Sequence, residues 1–265
     1  MKSHIFFAPL FCAAFFPLAF STLKINAAEF SQTELARIGH KVWQHEADGS
    51  VEGLTAWNAG ENFASLGIGH FIWYPKNQRG PFEESFPNLL RFIEARGIQP
   101  PSWVASAEAC PWNSREEFLR DAHSDRMNAL RKFLADTIPA QTAFLVERMQ
   151  QSLPKMLAEA APEKREKVRR EFEKMSATPR GIFALIDYVN FKGEGTLATE
   201  RYKNEGWGLL QVLENMDDSQ RDAVRAFSES AQAVLARRVR NAPPERHEER
   251  WLAGWKNRVA SYTSD

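Results

Sequence analysis

Residues Glu46 to Pro75 read EADGSVEGLTAWNAGENFASLGIGHFIWYP. Upstream, Leu35, Ile38, Val42 and Trp43 recur at spacings that share one helical face. Ser31 and Glu34 form a capping box ahead of them. A helix is therefore expected from about Gln32 to Glu46, with Gly49 as its terminator. Within the stretch, Leu54–Trp57 and Phe63–His70 read as short strands, and Asn58 to Asn62 has the composition of a tight turn. The stretch predicts a β-hairpin over about residues 52–73, beside a helix that ends in a carboxylate.

The partial negative charge of a helix C-terminus favours a protonated carboxyl, which suits Glu46 to general-acid work. Trp43, Trp57 and Trp73 are candidates for an apolar wall around it. Glu52 is a rival acid in the loop before the hairpin, outside the helical pattern that favours Glu46. In the turn, Glu61, with Asn58 beside it, could position a water or stabilise positive charge on a sugar carbon. The Ser65 hydroxyl could hold an attacking water, and His70 is read first as a structural hydrogen-bonding group. Gly67 and Gly69 are expected to let the second strand approach another backbone or a substrate closely.

The run Ser65 to His70, SLGIGH, resembles the Thr-Ile-Gly-x-Gly-His signature of phage-type lysozymes and endolysins, with Ser65 at the Thr position. In that family a helix ends in the catalytic Glu, and a hairpin follows with an Asp near its turn. The likeness covers about thirty residues. Glu52-Gly53-Leu54 resembles the Glu-Gly-Leu at the end of the family's first helix, and Asn190 to Leu197 resembles its Phe-Asn-x-Gly segment. No Asp stands at the turn; Glu61 is the nearest carboxylate there. The resemblance implies an α+β fold, mostly α-helical and lysozyme-like, with one small β-hairpin lobe and a larger helical lobe. It also implies a glycosidase for peptidoglycan, with Glu46 as acid and Glu61 and Ser65 as helpers. Glu52, Trp57, Asn58, His70, Tyr188 and Asn190 would bind the glycan. If nothing positions a water, the sugar's own hydroxyl could close on the anomeric carbon, as in a lytic transglycosylase. A chitosan-type glycan is a further substrate class. The missing Asp keeps a non-catalytic glycan- or wall-binding protein as the alternative.

With 265 residues, 43% of them apolar, and eight Trp, the chain can build a sizeable core. Net charge is zero and no basic aromatic-rich stretch stands out, which gives no footprint for nucleic acid. Residues 1–27 have the pattern of a secretory signal: Lys2 and His4, an apolar run from Ile5 to Phe20, then small residues to Ala27. Cleavage there would leave 28–265 as one periplasmic or secreted domain with no membrane span. Its single remaining cysteine, Cys110, reads as a buried structural thiol.

Further along, Asn88–Arg96 reads as a helix and residues 98–113 as irregular. Ser114 to Glu117 is a second capping box, with a helix to about Asp136 that breaks near His123 and Ser124. Pro139 can start the next helix. Pro162 to Lys174 reads as a solvated helix of mixed charge. Residues 98–176 thus form a helical insert beyond a minimal phage-type lysozyme. Thr178 and Pro179 open the most apolar helix, expected to be central, and a Gly-rich turn follows Asn190. Tyr188, Asn190, Lys192 and Glu194 are placed where they could face a cleft. Ser219 is expected to begin one late helix and Pro243-Pro244 the last. His40 and His45 cannot share a helical face and no His-Glu-x-x-His motif occurs, so neither a metal nor another cofactor is expected.

Overall fold

The structure, a computed structural model, describes residues 31–47, 49–80 and 82–264. The expected signal segment lies outside them. The described chain is mostly helical with a small antiparallel sheet, 64% helix and 6% strand.

Helix α1 (Gln32–Ala47) starts as its capping box dictates. The Glu34 amide donates to Ser31 Oγ (3.2 Å), and the Ser31 amide donates to Glu34 Oε2 (2.9 Å). Leu35, Ile38 and Val42 are buried along its inner face. A 3-10 turn (Glu52–Leu54) then leads into strands β1 (Thr55–Ala56), β2 (Ala64–Leu66) and β3 (Phe71–Trp73). They form one sheet of order β1-β2-β3, with Ala56 opposite Ser65 and Ser65 opposite Ile72.

The third strand corrects the expected hairpin. Residues 63–70 do not continue as one strand, because Gly67 (φ 71°) and His70 (φ 46°) are left-handed and turn the chain back. Gly67 and Gly69 therefore serve a turn rather than a strand approach. A side chain at Gly67 would be strained by its φ, and its Cβ would stand 2.3 Å from Gln141 Oε1. That oxygen accepts from the Ile68 amide (2.9 Å), and Gln141 Nε2 donates to Leu134 O and Thr137 Oγ1. Fully buried Gln141 thus fastens the turn to the helices behind it.

Those helices are α2 (Phe86–Glu94), α3 (Ser102–Ala105), α4 (Arg115–Asp121), α5 (Asp125–Asp136) and α6 (Ile138–Glu159). Ser124 caps α5 at the expected break. Ser114 caps α4, but the Glu117 carboxylate bonds the Asn113 amide (2.8 Å), so the second capping box closes one residue early. α7 (Arg165–Ser176) is less solvated than its charge suggests: Glu171 is buried and satisfied by Arg170 and Lys174.

Helix α8 (Pro179–Lys192) is central, capped by Thr178 and packed against α1, α6 and α7. Two further helices also meet it, α9 (Leu209–Asn215) and α10 (Ala223–Asn241). A second, two-stranded ribbon follows α8, β4 (Arg201–Tyr202) with β5 (Glu205–Gly206). α10 begins at Ala223 rather than Ser219, because Asp222 caps it while Ser219 closes a turn onto Asp217. The last helix, α11 (Glu249–Ala260), likewise starts later than expected, after a 3-10 turn at Pro244–Arg246. No helix among the described residues is long and apolar enough to cross a membrane.

Candidate active site

Asp187 lies within the buried run of α8 and is fully buried. A carboxylate there needs partners. Arg258 supplies a fork from α11, Nε to Oδ2 at 2.9 Å and Nη2 to Oδ1 at 2.8 Å. Tyr262 donates its hydroxyl to Oδ2 (2.5 Å), and His45 Nδ1 lies 3.2 Å from Oδ1. Burial pushes the Asp187 carboxyl up, but these hydrogen bonds and the Arg258 charge outweigh it and bring it down to about 2. Burial also opposes the Arg258 charge, yet hydrogen bonding and attraction from Asp187 and Glu46 hold its pKa above the usual range.

Arg258 carries this anchor out to Glu46. Its Nη2 also donates to Glu46 Oε1. The other Glu46 oxygen lies 3.8 Å from His70 Nδ1. The Glu46 side chain is 17% exposed, enough to meet a ligand at the surface without being freely solvated. His70 Nε2 sits 3.4 Å from the Gly53 carbonyl, which it can meet only as a donor. Its Nδ1 faces Glu46 across 3.8 Å, beyond hydrogen-bond distance. The β2–β3 turn that bends at Gly67 is what aims His70 at α1.

A groove of about 300 Å³ lies between α2 with the segment before it, helix α6 and the end of α8. Glu83, Arg91, Leu145, Arg148 and Asn190 are among its lining residues, and Glu46 is not. One packing link joins its wall to the turn that carries His70: Leu145 Cδ2 lies 3.1 Å from the point where a Cβ on Gly69 would stand. An ion pair from Arg148 to Glu83 (3.5 Å) spans the groove.

The structure brings together part of the set expected from sequence. Glu46 and His70 meet, and exposed Glu52 is nearby, since the next residue, Gly53, receives the His70 contact. Glu61 is at the opposite end of the sheet, in the β1–β2 turn, where Asn58 Nδ2 donates to its carboxylate (3.1 Å). Ser65, 3% exposed in the middle strand, is closed to solvent. Trp57 and Trp73 are core residues; Trp57 also bonds the Glu61 carbonyl through Nε1 (2.8 Å). Tyr188 is fully buried and donates to Trp207 O (2.8 Å), so it does not face a cleft, whereas exposed Asn190 lines the groove. The ring found over the site is Phe191, 4.4 Å beneath the Arg258 guanidinium.

Sequence reasoning missed Asp187, Arg258, Tyr262 and the role of His45. Cys110 is buried as expected, and burial pushes its thiol up to about 12. Among the described residues no group of three or more His, Cys, Asp or Glu is placed to hold a metal ion. No family model, curated protein or solved structure matches the chain.

Proposed function

We propose that this protein is an exported, lysozyme-like glycosidase that cleaves peptidoglycan strands, with Glu46 as the general acid. The observation that carries the reading is the setting of Glu46. A partly buried carboxylate at the end of α1 is held by an arginine and faces the imidazole of a β-turn. Glycoside cleavage needs a carboxyl that gives a proton to the leaving oxygen as positive charge develops on the ring. In this reading Arg258 fixes the carboxyl's orientation, and the His70 imidazole stands beside its other oxygen. The placement of Glu61 and the burial of Ser65 remove them as partners in this step. Exposed Glu52 is the carboxylate left to guide a water, and without it the sugar's own hydroxyl closes the reaction.

One observation favours the second reading, a glycan-binding protein without turnover: Arg258 occupies the Glu46 oxygen that would carry the proton. Incubation of the mature protein with purified peptidoglycan, followed by mass spectrometry, separates the readings. Soluble muropeptides are expected; reducing ends indicate hydrolysis and anhydro ends indicate transglycosylation. Co-sedimentation without release selects the binding reading, and the absence of both release and co-sedimentation removes peptidoglycan as the ligand.

A further inference from the structure

Lys192 ends α8 one residue beyond the ring that underlies Arg258. Its Nζ lies between two aromatic faces, 3.9 Å from the Phe191 centroid and 3.5 Å from that of Trp255. Neighbouring cations have carboxylates of their own. Arg238, from α10, forks onto Glu248 at 2.8 Å through both Nε and Nη2, and Arg258 is held by Asp187 and Glu46. Lys192 forms no ion pair within 4.0 Å among the described residues, although it is only partly exposed. An ammonium withdrawn from water onto two rings, with no anion of its own, is suited to receive one from outside.

From this we infer that Lys192 is an anion-recognising subsite beside Glu46, taking a carboxylate carried by the bound glycan. The inference rests on the proposed glycosidase reading and adds to it a preference for acidic saccharides. Position supports it: Asp187, Phe191 and Lys192 follow one another along the end of α8, and Arg258 joins this end to Glu46. Phe191 carries both cations, Lys192 Nζ at 3.9 Å and the Arg258 guanidinium at 4.4 Å from its centroid, so Lys192 stands one ring away from the arginine that holds Glu46. Electrostatics agree. Burial, then Arg238 and Arg258, lower the Lys192 ammonium to about 7, while Glu248 acts in the opposite sense. An incoming carboxylate would restore the charge that this environment opposes. The expected sign follows: recognition is strong below pH 7, where Lys192 is protonated, and weakens as pH rises through 7 to 9.

The test uses Glu46→Gln protein, so that ligands persist, and two probes in calorimetry. One is a chitotetraose, the other a tetrasaccharide with alternating muramic acid, which adds lactyl carboxylates. At pH 6 the acidic probe is expected to bind about tenfold tighter. Adding Lys192→Met should abolish that preference while leaving chitotetraose affinity and the thermal midpoint in place. Lys192→Arg should keep it at pH 9, because guanidinium stays charged. Equal affinity of the two probes, or a preference that survives Lys192→Met, overturns the inference and leaves the glycan reading standing. Failure of both probes to bind overturns both.

Discussion

With its carboxyl brought down to about 2, Asp187 is ionised at any pH near neutrality, and its two oxygens fix Arg258 and Tyr262. Replacing one member of such a buried pair strands the other. Asp187→Asn should therefore cost about 3–5 kcal/mol in urea unfolding at pH 7. The pH dependence has a definite sign. Asp187 is more acidic folded than unfolded, so its contribution is complete above the unfolded value near 4. It is lost as pH falls through about 2, and amounts to roughly 2 kcal/mol. A stability-versus-pH series should lose that slope in the Asn variant; an unchanged slope would remove Asp187 as the anchor. Part of this was legible: a lone carboxylate inside the most apolar helix is a signal that buried partners exist. Their identity was not, because His45 is 142 positions away and Arg258 is 71. Local pattern carries no information at that range.

At the level of elements, α1 and the first two strands were readable because their determinants are local: a capping box, an apolar stripe and a turn-forming pentapeptide. The third strand was hidden because 63–73 is nearly continuous in apolar and small residues, with its reversal at Gly67 to His70. The same run that resembled a family signature is, physically, the turn that aims His70. Gly67→Ala should destabilise by about 1–3 kcal/mol, from the positive φ together with the encroachment on Gln141. Gln141→Leu should cost a similar 1–3 kcal/mol by leaving the Ile68 amide unpaired. Both are checked by thermal or chemical unfolding. Wild-type stability in either variant would show that the turn is held by something else.

Taken whole, the chain brings the β2–β3 turn to one oxygen of the carboxylate at the end of α1 and sets the C-terminal helix α11 against the other. That the chain is mostly helical was legible in its periodicity and capping residues, while the closing of the site by α11 required the fold. Cys110, buried where its backbone amide donates to the Tyr74 carbonyl (3.0 Å) and with its thiol pushed up to about 12, should react with a thiol reagent only on unfolding, a rate that reports global opening. The most direct test of the central claim compares peptidoglycan digestion by wild type, Glu46→Gln and Glu52→Gln, each verified as folded by its thermal midpoint. The account predicts a fall of about 10²–10⁴ in muropeptide release for Glu46→Gln. Glu52→Gln should retain much more activity. Full activity in Glu46→Gln, with loss in Glu52→Gln, would contradict it and move the acid to the 3-10 turn.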